Sequence, residues 1–215
     1  MKTRKNSSTG LRVAATAFGA LMLTGVATAA ATAADPVGDD SSVDVTVSIS
    51  ELTQPGVLAL SVAGTTANLT ESESGDPLVR EFRGQLPTVT VTDTRTVDEI
   101  PEGAAWYVLG SASDFTGNAG QAPIGAGHLG WAPRLIDGGD SGLVSEGPVV
   151  ETVIDDDAAP DNVGLVDQEL LAGAWNSGEV ATEGSWTATA DLFLRTDTTV
   201  AAGNYASTLT LSLFE

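Results

Sequence analysis

The sequence has 215 residues, no cysteine and a formal net charge of −20 at pH 7. Without cysteine, a disulfide framework and a thiolate metal site are both excluded. The strong negative charge repels phosphate backbones and anionic lipid surfaces, which argues against nucleic-acid binding as the function.

The first 34 residues are typical of a secretory signal peptide. Four basic residues precede an apolar, uncharged stretch at residues 13–26, and a run of small residues offers A-x-A-like cleavage sites after Ala33 or Ala34. The apolar stretch is shorter than the roughly 20 residues that a membrane span needs, so we predict cleavage and no membrane span afterwards. The 181 residues that remain carry 5 basic and 29 acidic side chains, a net charge of −24.

The mature chain is long enough for one sizeable core. We predict a short acidic segment at residues 35–42, followed by a single domain at residues 43–215. The first strand is indicated by Val43, Val45, Val47 and Ile49, which alternate with polar residues.

Further stretches repeat this alternation and predict more strands. A Pro55-Gly56 turn precedes Leu58, Leu60 and Val62, which suggests a hairpin with the first strand. The other predicted strands cover residues 88–92, 106–112, 186–194 and 205–213.

The remaining sequence predicts loops and at most one helix. Residues 117–162 are rich in Gly, Pro, Ala and Asp, and we interpret them as long loops that join short strands. The nearest candidate for a helix is residues 165–174. Because alternating strands need a second layer to cover their apolar face, we predict an all-β fold, a two-layer antiparallel β-sandwich with long Gly/Asp-rich loops.

Two blocks of sequence resemble the WxL domain of Gram-positive surface proteins. The first contains a V-x-D-x-R pattern at residues 91–95, followed by an aromatic strand that begins at Trp106. The second begins at Gly184, runs to Leu192 and leads to residues 202–213, which contain Gly203 and Tyr205 and end with Leu211-Ser-Leu213 close to the end of the chain. The two W-x-L tripeptides of that family correspond here to Trp106-Tyr-Val and to Leu211-Ser-Leu213, so the second lacks its aromatic residue. Five Arg and no Lys in the mature chain are typical of a G+C-rich, actinobacterial source.

The resemblance implies a secreted protein that is held noncovalently at the cell wall through peptidoglycan or another wall glycan, and it names Trp106, Leu211 and Leu213 as candidates for that contact. The patterns themselves favour Trp106 and Trp186 as core residues. Trp131 and Trp175 lie in Gly-rich, loop-like surroundings, where exposed rings can stack on sugars or pack beneath a loop. Other surface proteins are further candidate partners.

The acidic loops offer weak candidates for calcium ligands at Asp155, Asp157 and Asp161. They do not follow the EF-hand spacing, and such loops also arise as solvated surface, so we expect no cofactor other than a weakly bound calcium ion.

Nothing in the sequence favours catalysis. His128 is the only histidine, no G-x-S-x-G motif is present, and a zinc site cannot be assembled from one histidine and no cysteine. We therefore expect a non-catalytic protein of the cell surface, with a structural subunit of a secreted fibre or matrix as the alternative.

Overall fold

The computed structural model confirms the all-β fold, with antiparallel sheets that pack against each other. Glu51–Glu215 forms one compact unit that contains every strand described below. The predicted signal peptide, the acidic segment and most of the predicted strand at residues 43–50 lie outside the described part of the chain. The structure describes residues 47–48, 54–155, 160 and 162–215.

The larger of the two main sheets is organised around a long strand with an apolar residue at every second position. Trp186, Ala188, Ala190, Leu192 and Leu194 are all buried on its inner side, as the alternation predicts. The six strands of this sheet are β1 (Leu58–Val62), β2 (Thr70–Ser72), β3 (Val79–Gln85), β4 (Val89–Asp93), β7 (Leu129–Asp137) and the long β10 (Ser185–Asp197).

Strands β3 and β4 lie end to end along one edge of β10, while β7 pairs with the other edge. The break between them falls at Pro87, which has no backbone N–H to donate to a ladder. Beside the break, the Leu86 nitrogen donates to the Ala190 carbonyl at 2.9 Å, and the buried Thr189 hydroxyl donates to the Leu86 carbonyl at 2.6 Å. The hydrogen bonding of β10 therefore continues past the proline.

The second sheet contains the strand that ends the chain, and we call it the C-terminal sheet. In spatial order its strands are β12 (Leu209–Phe214), β5 (Trp106–Ala112), β9 (Glu169–Ala174) and β8 (Val144–Glu146).

Short elements connect these strands. A two-residue ladder and three helical turns complete the described secondary structure: β6 (Thr116–Gly117), β11 (Tyr205–Ala206), η1 (Val97–Glu99), η2 (Ala126–His128) and α1 (Ser177–Val180).

Two tryptophans mark the contact between the sheets. Trp106 of β5 and Trp186 of β10 are 1% and 2% exposed, and their ring centroids lie 5.1 Å apart at an interplanar angle of 34°. Such an aromatic pair contributes about 0.5–1.5 kcal/mol beyond the area that it buries. The prediction that both rings belong to the core is confirmed.

The middle of the chain contains more strand than the sequence indicates. Residues 165–174 contain strand β9 and no helix, and residues 117–162 contain the nine-residue strand β7. The apolar inner side of β7 is interrupted by Pro133, which β7 tolerates because β10 is the only one of the described strands that pairs with it. Gly130 weakens the pattern further, although a glycine is required there because the Phe193 ring lies directly against its Cα.

Candidate functional site

The outward side of the C-terminal sheet carries a partly exposed group of aromatic and aliphatic side chains. In β5, Trp106 and Val108 point inward and are buried, so the alternation turns Tyr107 and Leu109 outward. Phe214 pairs with Tyr107, and Leu170 pairs with Leu109, which places both on the same side. We call Tyr107, Leu109, Leu170 and Phe214 the aromatic face.

The rings of Tyr107 and Phe214 stack on each other across β5 and β12. Their centroids lie 5.5 Å apart with an interplanar angle of 13°, and Tyr107 is 38% exposed. Gly173 of β9 pairs with Tyr107 and carries no side chain that would cover the ring. A Cβ atom at Gly173 would lie 2.9 Å from the carbonyl oxygen of Trp106, so the close approach of the two strands requires this glycine.

Trp175 lies at the end of strand β9. It directly follows β9, two residues beyond Gly173, and its side chain is 83% exposed. The backbone is held on both sides: Ala174 pairs with Trp106, and the Asn176 side chain accepts a hydrogen bond from the Gly178 nitrogen at the start of α1. An exposed ring on a fixed backbone is a feature of binding sites, since leaving so large an apolar group in water is unfavourable.

The aromatic face is uncharged, although the chain has 29 acidic residues. None of the residues that the pairing turns outward in the described strands of the C-terminal sheet is Asp, Glu, Lys or Arg. Its polar members are hydroxyls: Ser111, Thr210, Ser212 and, in β8, Ser145. Aromatic rings beside hydroxyl groups suit a neutral ligand with apolar faces and hydrogen-bonding groups.

The four tryptophans differ in their exposure to solvent. Trp175 is exposed, as its loop-like surroundings suggest. The prediction that Trp131 lies on a loop is wrong, because it is a fully buried residue of β7. Trp106 is also buried, so neither Trp106 nor Trp131 is available to stack on a glycan in this structure.

Leu211 and Leu213, the other candidates from the resemblance, are half-buried and pack on the core from β12. A Cβ atom placed on Gly110 would lie 2.6 Å from Cη2 of Trp131 and 3.0 Å from Cδ2 of Leu211. The Trp131 ring and the Leu211 side chain therefore both lie against Gly110. Leu211 is the residue that corresponds to the aromatic residue of the second W-x-L tripeptide.

The V-x-D-x-R pattern forms an ion pair with a structural role. The Arg95 guanidinium donates to both carboxylate oxygens of the buried Asp93, at 2.9 and 2.7 Å, and its Nη1 also donates to Glu215 at 2.6 Å. Burial raises the pKa of the Asp93 carboxyl, but the hydrogen bonds from Arg95 outweigh this effect and hold it below its ordinary value.

A second charged cluster covers the outer side of the larger sheet. Arg195 of β10 bonds to the buried Glu81 at 2.8 Å and also pairs with Asp155, while Arg83 pairs with the same Glu81. Burial raises the pKa of Glu81, but the hydrogen bonds from Arg195 and Arg83 have the larger, opposite effect. The net shift of this pKa is therefore downward. The pKa of the nearby Glu151 is raised, first by burial and then by the charge of Asp155.

This cluster bears on the calcium prediction. One oxygen of Asp155 pairs with Arg195, and the other accepts hydrogen bonds from the Thr152 nitrogen at 2.9 Å and from the Thr152 hydroxyl at 2.7 Å. Both oxygens of Asp155 are therefore occupied by protein donors. Asp157 and Asp161 lie outside the described residues, and within the described ones no group of three or more acidic or histidine side chains is placed to share a metal ion.

The only histidine also has a local partner. Nδ1 of His128, which is half-buried at the end of η2, lies 2.7 Å from the carbonyl oxygen of Arg195. Since a carbonyl only accepts, Nδ1 is the protonated nitrogen, and the ring contributes a hydrogen bond between η2 and β10.

The sequence contains a signal for the aromatic face in the outward positions that are apolar. In a strand with one polar side, the outward positions should be polar, yet Tyr107 and Leu109 break the rule in β5 and Phe214 breaks it in β12. These exceptions in paired strands mark an exposed apolar surface.

Within the described part of the chain, no helix is both long and apolar enough to cross a membrane. No protein-family model, curated protein or solved structure matches this chain. The likeness to the WxL domain therefore rests on the two blocks of sequence described above.

Proposed function

We propose that the chain is a secreted, non-catalytic protein of the cell surface that associates noncovalently with the uncharged sugar strands of peptidoglycan or of another cell-wall glycan. The observation that carries the proposal is the uncharged aromatic face, together with the exposed Trp175 at the end of β9, on a chain that is otherwise strongly acidic.

The chemistry of the face favours a sugar polymer as the ligand. Pyranose rings have apolar faces that stack on aromatic side chains, and their hydroxyls bond to groups such as Ser212 and Thr210. A face made of strands is flat and open at its ends, which suits a long polymer better than a small molecule that needs an enclosed pocket.

The charge of the chain selects among wall polymers. A net charge of −24 after removal of residues 1–34 repels anionic polymers at long range, whereas a neutral glycan is unaffected. The predicted signal peptide and the WxL-like blocks support an extracellular location at a Gram-positive wall.

The direct test is sedimentation with purified peptidoglycan. The chain without residues 1–34 is mixed with insoluble peptidoglycan, with and without calcium, and the pellet is compared among variants. We expect the wild type in the pellet and the double variant Tyr107→Ala/Trp175→Ala in the supernatant.

A matched control removes an exposed apolar side chain elsewhere. Leu78, between β2 and β3, is 70% exposed, and Leu78→Ala should sediment like the wild type. The proposal is wrong if the wild type stays in the supernatant under both conditions, or if the double variant sediments as well as the control.

A further inference from the structure

An open cleft lies between the inward sides of the two sheets, away from the aromatic face. Its volume is about 880 Å³, within the range of cavities that hold a ligand. Its floor is formed by six buried apolar residues: Leu86, Phe115, Ile124, Leu129, Leu192 and Leu194.

The walls of the cleft are formed by side chains that point toward the core but remain partly exposed to solvent. Leu69, Phe82, Tyr205 and Leu209 pack on the core, yet each keeps part of its side chain exposed. Covering apolar surface of this kind is favourable by about 25 cal/mol per Å². The cleft therefore provides a driving force for an apolar occupant.

The backbone beside the cleft is suited to a strand. Both β1 and β12 are last in their sheets, and the described chain supplies no strand to pair with their outer edges. Val62 at the end of β1 and Leu209 of β12 line the cleft, and the two strands approach each other. An open strand edge presents N–H and C=O groups that an added strand can pair with, while alternate side chains of that strand enter the cleft.

The electrostatics of the cleft restrict the occupant. Among the described residues that line it, none is Asp or Glu, and the one charged residue, Arg80, is paired with Glu71 at 2.7 Å. A strand whose inward residues are all uncharged and apolar fits this lining, since a buried unpaired charge would be unfavourable.

The sequence itself contains such a strand. Val43, Val45, Val47 and Ile49 are apolar at every second position, and Asp44 is the only charge in residues 43–50. Val47, which the structure describes, has 81% of its side chain exposed and is thus available to a partner. We propose that the open cleft accepts residues 43–50 of a second copy of the chain as an added strand, in place of the hairpin that the sequence predicts between these residues and β1 of the same copy.

This contact is heterologous, because the donor segment and the acceptor cleft are different surfaces. Each copy that receives a strand still has its own strand to donate, so the contact repeats from copy to copy and produces an open chain of subunits. The assembly goes beyond wall binding and gives a physical basis to the fibre that the sequence leaves as an alternative. Because the aromatic face is on the outward side of the C-terminal sheet, the two activities are separable.

The test measures the mass of the chain without residues 1–34 by size-exclusion chromatography with light scattering. We expect the wild-type mass to rise with concentration, the donor variant Val45→Asp to be monomeric, and the matched control Thr46→Asp, on the polar side of the pattern, to associate like the wild type. An acceptor variant, Leu69→Asp, should also be monomeric.

Mixing the two monomeric variants is the decisive step. Val45→Asp retains an intact cleft and Leu69→Asp retains an intact donor, so the mixture should form a one-to-one dimer and nothing larger. If Leu69→Asp does not fold, a labelled peptide with the sequence of residues 42–51 replaces it, and Val45→Asp should bind this peptide. The proposal is overturned if the wild type stays monomeric at the highest soluble concentration, or if Val45→Asp and Thr46→Asp associate to the same extent. It is also overturned if folded Val45→Asp binds neither folded Leu69→Asp nor the peptide.

Discussion

Nη1 of Arg95 lies 2.6 Å from Oε1 of Glu215, so the residue that follows β4 by two positions is tied to the last residue of the chain. The same guanidinium holds the buried Asp93. One arginine thus connects the larger sheet to the C-terminal sheet, which carries the aromatic face.

Arg95→Met should destabilise the fold strongly. Asp93 is 3% exposed, and the substitution would leave its carboxylate buried without its cation, which costs about 3–5 kcal/mol. The free energy of unfolding from denaturant titration measures the loss.

Glu215→Gln is the control for this pair. The Glu215 side chain is 32% exposed, and removal of its charge should change the free energy of unfolding by no more than about 1 kcal/mol. Equal losses for the two variants would contradict the role assigned to Asp93.

The Glu81 cluster should make stability depend on pH. Because the folded-state pKa of Glu81 is lowered, its contribution is present above the ordinary carboxyl pKa of about 4.3 and is lost as the pH falls through the folded value. Glu151 acts in the opposite sense, since its raised pKa favours the folded state as the pH falls.

Glu81→Gln separates the two effects. It should lower the free energy of unfolding by about 1–3 kcal/mol at neutral pH, because Arg195 and Arg83 lose a buried partner, and the difference from the wild type should shrink in acid. Denaturant titrations of both chains above and below the carboxyl range measure this. A difference that is constant across that range would be inconsistent with a lowered pKa at Glu81.

Gly110→Ala tests the packing of the tryptophan that the sequence assigned to a loop. The new methyl group would lie 2.6 Å from the Trp131 ring, and such overpacking costs about 1–3 kcal/mol. Gly125→Ala is the matched control, since its Cβ would have no neighbour closer than 3.9 Å. Comparable thermal stability of the two variants would show that Trp131 does not fill this space.

The sequence predicts strands well where one side faces a closed core. Strand β5 has the predicted bounds, and the inward side of β10 is the predicted one, because both bury a continuous apolar row. Strand β3 escaped prediction for the opposite reason. Its outward side contributes Glu81 and Arg83 to an ion-pair cluster, and its inward side places Arg80 and Phe82 along the open cleft, so neither side has an apolar row.

The candidate site was predictable only in part. The exposure of Trp175 follows from its Gly-rich surroundings, whereas Trp131 has similar neighbours in sequence and is buried, because β10 and Val150 pair with its strand. Tyr107 and Phe214 are more than 100 positions apart in the sequence, and only the register of β5 with β12 brings their rings together.

The most direct test of the glycan-binding claim uses the accessibility of Trp175. The other three tryptophans are at most 2% exposed, so quenching of indole fluorescence by acrylamide reports mainly on Trp175. Soluble peptidoglycan fragments should protect this fluorescence in the wild type and leave Trp175→Phe unchanged. Quenching of the wild type that is the same with and without saturating fragments would contradict the account.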